Sequence, residues 1–281
     1  MDYLIFIGTA VFCAAVGAIL YRYFRAYIRP RIIVIGVAGA WVLLAVAFLV
    51  LYSPRRALFT AVREGDLEQV RRILEEHPSW LKTKDLGGDT PLAEAVIHGR
   101  KEVVQFLLGK GALPGHPPDR WVETTRVIAP LLYAAYYDRV DIGRVLLEHG
   151  ANVNAEGFRH RDSALQVASG RGHLAFAEML LAHGADVNER NDIGETALMD
   201  ACEQGYLAVV RLLLAHGADM SPRDQSGESA IWEAAENGHA DVVRVLLEAG
   251  ADLDGVPHPY SLKRRGHDEV YRLLKEAGAW R

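Results

Sequence analysis

The hydrophobic and polar positions of this chain fall into two regimes. From Tyr3 to Tyr21, and again from Ile32 to Tyr52, the residues are apolar almost without interruption, in runs of 19 and 21 residues. Each is close to the ~20 that carry an α-helix across a bilayer. From Pro54 onward apolar residues instead recur at helical spacing, as in Leu207, Val209, Val210, Leu212, Leu213 and Leu214. That is the stripe an amphipathic helix turns toward a core. A shorter helix precedes it, since Thr196 can cap the amides of a helix begun at Ala197-Leu198 and Gly205 is placed to end it. The pattern therefore predicts two membrane helices followed by units of helix, turn, helix and polar loop.

The units repeat. Thr196-Ala197-Leu198 has echoes at Thr90-Pro91-Leu92, Ala129-Pro130-Leu131, Ser163-Ala164-Leu165 and Ser229-Ala230-Ile231, with successive steps of 39, 34, 33 and 33 residues. A Gly-Ala pair keeps the same rhythm at Gly111, Gly150, Gly184, Gly217 and Gly250. A fixed period in the range of roughly 20–50 residues marks a solenoid. The long step of 39 leaves room for a Pro-rich insertion, Leu113 to Ile128, which holds Trp121. Long loops often carry function, so Trp121 is a candidate partner contact. Degenerate units close both ends, ALFTAVREGDLEQVRRILEEHPSWL before the series and SLKRRGHDEVYRLLKEAGAWR after it. Their polar residues, among them Arg63, Glu64, Arg71, Lys263 and Arg272, suit capping repeats.

The pattern G-x-T-A-L…A…G…VVRLLLAHGAD resembles the ankyrin repeat, from about Pro54 to the C-terminus. The resemblance implies an all-α ankyrin solenoid over residues 54–281, with five full repeats and two caps. Ahead of it stands a transmembrane hairpin, residues 1–53, with spans at about 3–21 and 32–52. The family's T-P-L-H signature is altered at its fourth place, which holds Ala93, Leu132, Gln166, Met199 and Trp232. The Thr–His network of the family is therefore expected to be absent.

Charge narrows the partners. The chain carries 31 Lys and Arg against 36 Asp and Glu, a net charge of −5. Residues 1–56 contain six Arg and one Asp, so they carry +5 and residues 57–281 carry −10. Phosphate binding needs a local excess of Lys and Arg, so nucleic acid is excluded as the expected partner. Neither cysteine, Cys13 or Cys202, belongs to a disulfide framework, and Cys202 reads as a small core residue. His149, His183 and His216 recur at helix ends, where a favourable contact with the helix dipole explains them better than a metal does. No catalytic motif is present, and the expectation is a non-enzymatic protein with no metal, cofactor or small-molecule substrate.

In ankyrin proteins the outer face of the first helices lines a concave groove. On that face the repeats carry Glu94, Tyr133, Asp200 and Glu233 at one place, Tyr136, Glu203 and Glu236 at a second, and Tyr137 at a third, with Trp232 beside them. Acids and aromatics together suggest a protein partner with a basic surface. The expected function is a membrane-tethered protein-interaction adaptor. Two alternatives stay open: an accessory subunit of a membrane transporter or channel, and an inhibitor or immunity-type protein acting by occlusion. Arg22, Arg25, Arg29 and Arg31 crowd the short connector between the spans and favour its staying in the cytoplasm. That topology expects an integral protein of the bacterial inner membrane with a periplasmic solenoid.

Overall fold

Pairs of antiparallel helices stack side by side along the chain because no single pair can cover its own apolar face. The computed structural model describes residues 54–85, 87–115, 129–157 and 160–280. The two apolar runs and Trp121 lie outside these residues. Among the described residues no helix is long and apolar enough to cross a membrane.

The first helices are Pro54–Glu64, Pro91–Ile97, Pro130–Tyr136, Ala164–Gly170, Ala197–Gln204, Ala230–Glu236 and Pro259–Arg265. The second helices are Leu67–Glu76, Lys101–Gly109, Val140–Glu148, Leu174–Ala182, Leu207–Ala215, Ala240–Glu248 and Asp268–Ala277. We number these helix pairs as repeats one to seven. First helices pack on first helices and second on second, so Ala197–Gln204 lies between Ala164–Gly170 and Ala230–Glu236. The core runs along the whole stack. Leu198, Ala201 and Cys202 are fully buried on one face of a first helix, and Val210 and Leu213 meet them from the second.

Local chemistry sets the helix starts. Thr90, Thr196 and Ser229 each accept a backbone N–H from the residue three places on, at 3.2, 3.3 and 3.4 Å. Ser163 does more: it accepts from Gln166 N at 3.3 Å while Gln166 Oε1 accepts the Ser163 N–H at 3.0 Å, a complete capping box. Gln166 Nε2 also donates to the Glu195 carbonyl of the next repeat at 3.0 Å. The residue standing where the family carries His thus supplies, in repeat four, a side-chain link that sequence reading did not foresee.

Other side chains staple neighbours together. His149, His183 and His216 each hold the carbonyl one turn back through Nδ1, at 2.8, 2.8 and 2.9 Å. A carbonyl can only accept, so Nδ1 carries the proton. This is the dipole contact expected from sequence, made as a specific bond. His173 Nδ1 reaches the Ala135 carbonyl at 2.8 Å, and His239 Nε2 reaches the Glu203 carbonyl at 2.8 Å, in each case across a repeat boundary. His239 lies over Gly205, whose φ of 75° and missing side chain make room for the imidazole. Loops are tied in the same manner, with Asn154 and Asn188 accepting the N–H of Asp186 and Asp219, at 3.0 and 2.8 Å. The described strands are one two-residue hairpin, Glu156–Gly157 paired antiparallel with Asp162–Ser163.

Gly143 tests how tightly this stack is packed. It sits inside the second helix of repeat three, and a Cβ there would lie 2.8 Å from the Phe176 ring and from the Met179 methyl of repeat four. Alanine is the better helix former by up to ~1 kcal/mol, but overpacking costs roughly 1–3 kcal/mol. Gly143→Ala should therefore lower stability in urea denaturation followed by circular dichroism. A stabilised Gly143→Ala protein would mean that the interface between repeats three and four has slack.

Candidate partner-binding face

The acids of the first-helix face reach it by two routes. Glu94, Asp200 and Glu233 project from the first helices themselves. Asp89, Glu195 and Glu228 arrive from the preceding loops, each held by a side chain four residues earlier. Asp85 Oδ1 accepts the N–H of Gly87 and of Asp89 at 2.8 and 3.0 Å. Asn191 Oδ1 accepts those of Ile193 and Glu195 at 3.1 and 2.9 Å, and Asp224 Oδ1 those of Ser226 and Glu228 at 2.9 and 2.8 Å. The same turn therefore delivers a carboxylate beside the helix in repeats two, five and six.

At the two ends of the stack these acids are neutralised from within the chain. Arg63, in the capping repeat, donates to both oxygens of Glu94, at 3.1 and 2.7 Å, and reaches Asp85 at 3.1 Å. His98 Nε2 lies 3.3 Å from Glu94 Oε2. Glu94 is 6% exposed and wholly committed to this cluster. At the other end Arg265 lies 2.6 Å from Glu236.

The middle is different. Among the described residues no cation stands within ion-pair distance of Asp200, Glu203, Glu228 or Glu233. Glu203 is exposed, Glu228 and Glu233 are half-buried. Protein surrounds Asp200 on nearly every side, though part of its surface still meets solvent. Burial, then Glu195, Asp162, Glu203 and Glu233, hold its carboxyl well above the usual range. Burial and the charges of Glu203, Glu228, Asp224 and Glu195 push Glu233 up to about 7. Two carboxylate groups, Asp85–Asp89–Glu94 and Asp224–Glu228–Glu233, are close enough in geometry to share an ion. The first has a resident guanidinium in Arg63, so its chemistry is that of an ion-pair cluster.

The aromatic residues are more engaged than their sequence positions suggest. Tyr133 donates its hydroxyl to Asp89 Oδ1 at 2.9 Å, and burial together with that bond raises its phenol. The Arg171 guanidinium lies 3.6 Å over the Tyr136 ring while its Nε donates to the Tyr136 carbonyl at 3.1 Å. Tyr137, 42% exposed, packs edge-on against Tyr136 at 5.0 Å and presents the most open aromatic surface of the three. Trp232 is half-buried in repeat six, next to Glu233. Sequence reading missed Arg63 and Asp89 as groove residues. Arg63 occupies in repeat one the place held by Tyr136 and Glu203 further along, a signal that the repeat alignment already contained.

A solenoid whose first helices present one continuous polar and aromatic face belongs to the class of repeat proteins that bind other proteins. Models of ankyrin repeats match residues 58–108, 118–191 and 188–256. The chain belongs to the ankyrin repeat family. Among similar proteins, the human ankyrin repeat and KH domain-containing protein 1 is 38% identical over 109 residues, which is 38% of this chain and 4% of that protein. The human ankyrin repeat and SOCS box protein 18 is 33% identical over 135 residues, 39% of this chain and 29% of that one. The match thus spans less than a third of the length of either relative. A solved structure of a predatory endopeptidase from Bdellovibrio bacteriovorus in complex with an immunity protein contains a chain 28% identical to this one. The superposition has a TM-score of 0.59 and covers 68% of this chain and 97% of that chain.

The unpaired acids carry a stability signature with a definite sign. Glu233 binds its proton more tightly when folded than when unfolded, so it favours the folded state below its usual range and loses that advantage as pH rises through about 7. Asp200 acts in the same direction. Thermal melting should therefore fall between pH 5.5 and 8.5, apart from any other titration. Glu233→Gln should raise the melting temperature at pH 8.5 by about 2–4 °C, the equivalent of ~1 kcal/mol once partial exposure is discounted. No gain at pH 8.5 would show that solvent already relieves the cluster.

Proposed function

We propose that this chain is a membrane-tethered adaptor that captures a partner protein in the groove formed by its first helices. The observation that supports it most strongly is the break in charge pairing: Glu94 and Glu236, at the two ends of the acidic ladder, are neutralised from within, and among the described residues Asp200, Glu203, Glu228 and Glu233 between them are not. A purely structural surface has no reason to concentrate like charges beside half-buried carboxyls, because they oppose folding at neutral pH. Tyr137 and Trp232 flank the acids and offer the aromatic area that dominates binding hot spots. Tethering rests on the two apolar runs before Pro54, each long enough to span a bilayer, and on the Arg-rich connector between them. The connector's four arginines favour a periplasmic solenoid at a bacterial inner membrane. The chain needs no catalytic group for this role.

A second reading has one specific observation behind it. The likeness to a chain from an endopeptidase–immunity protein complex covers nearly the whole of that chain. Under this reading the groove would block a partner's working surface instead of assembling it with others. Both readings place the contact on the same face and differ in whether the captured protein loses activity.

Replacing Tyr137 and Trp232 with Ala should weaken capture of a membrane-derived partner by roughly 2 kcal/mol or more for each hot-spot position. Melting should change little for Tyr137→Ala, whose ring is largely open. Tyr133→Ala is the control of opposite kind, since it removes the bond to Asp89 and should cost stability. Affinity of the purified complex, measured by surface plasmon resonance on the full chain, decides the matter. Unchanged capture by the Tyr137→Ala, Trp232→Ala protein would move the contact off the groove.

A further inference from the structure

The charges of the first-helix ladder sort by position in the stack, and that order specifies what the centre of the groove can take. Glu94 has Arg63 and His98, and Glu236 has Arg265. Between them Asp200, Glu203 and Glu233 have no cation among the described residues, and Glu195 and Glu228 come beside them from the loops. Asn191, 7% exposed, spends its amide on Asp162 and Glu195 at 2.8 and 2.9 Å, neutral donors where a charge would otherwise be needed. A second, independent observation concerns Asp200 itself. It lies largely covered among these acids with no side-chain hydrogen bond or ion pair among the described residues, and Gly170 beside it adds no side chain: a Cβ there would come 3.3 Å from the Asp200 Cβ. An enclosed carboxylate without a donor is costly unless a partner supplies one.

We propose that Asp200, Glu203 and Glu233 form a seat for the guanidinium or ammonium groups of a basic segment on the partner protein. The proposal rests on the groove reading above and narrows it to repeats five and six and one chemistry. The arginine arrangements at the ends of the ladder show what the centre lacks: Arg63 meets Glu94 with two nitrogens on two oxygens, the bidentate fit in which guanidinium excels. A partner arginine set between Asp200 and Glu233 would repeat that arrangement where the chain itself leaves it open. Trp232, on the same helix as Glu233, provides an adjacent aromatic surface for the stem of the incoming side chain. The exposed acids of the second helices, such as Glu178 and Glu248, are spread singly and offer no such convergence.

The test uses the full chain in a non-ionic detergent and a fluorescein-labelled hexa-arginine peptide, with affinity read by fluorescence anisotropy. Two double variants remove the same formal charge: Asp200→Asn with Glu233→Gln on the groove, and Glu178→Gln with Glu248→Gln on the second helices. The seat requires the groove variant to lose about tenfold or more in affinity and the second-helix variant less than about twofold. Equal losses in the two variants would reduce the effect to net charge and overturn the proposal, as would full binding by the groove variant. Glu203→Gln alone, at an exposed position that leaves the fold undisturbed, should show an intermediate loss. The outcome separates from that of the broader reading: if the peptide ignores the acids while Tyr137→Ala and Trp232→Ala still weaken the native partner, the groove stands and the basic seat does not.

Discussion

No repeat of this solenoid can finish its own core. Each presents an apolar first helix and an apolar second helix that stay open until the next repeat covers them, and the fully buried positions Leu198, Ala201, Cys202 and Leu213 are buried by both neighbours at once. Stability is therefore passed along the stack by nearest-neighbour contacts. The polar staples follow the same logic, since His173, His239, Gln166, Asn154 and Asn188 all bond across a repeat boundary. Because the interior settles the fold, the outer face of the first helices is left free to carry charge patterns that folding alone would not choose.

That freedom is used unevenly. Where the ladder meets its caps, arginines from the terminal units satisfy the acids, and Arg63 does so with a hydrogen-bonded pair on Glu94. In repeats five and six Asp200, Glu203, Glu228 and Glu233 have no counter-charge among the described residues, and burial together with the neighbouring acids makes Asp200 and Glu233 hold their protons more tightly. Such a surface opposes the folded state at neutral pH, and under the proposed reading a cationic partner relieves it. Under the same reading, stability given up in repeats five and six and specificity for a basic partner are two consequences of the same geometry.

Much of the repeat architecture was legible in the sequence. The 33-residue rhythm, the capping Thr and Ser and the turn glycines each have a local cause that acts within one unit, so reading one unit reads them all. The groove residues were legible as positions but not as states. Glu94 and Asp200 occupy equivalent places, yet one is tied to Arg63 and the other stands unpaired, because the difference lies 31 residues away in the preceding repeat. Tyr133 and Tyr136 look like free aromatic area in the alignment, and their hydroxyl and ring face are taken by Asp89 and Arg171. Gln166 looks like a lost histidine and proves to be a capping-box residue that also bridges to Glu195. Contacts between repeats depend on which side chains happen to face each other, and a repeat pattern read one unit at a time does not contain that information.

The most direct measurement is hydrogen exchange on the full chain, alone and in complex with a partner purified from its membranes. Binding in the groove predicts slowed exchange in the first helices and loops of repeats five and six, residues 195–204 and 228–237, with the second helices 207–215 and 240–248 unchanged. Protection confined to those second helices would place the partner on the opposite face and contradict the account.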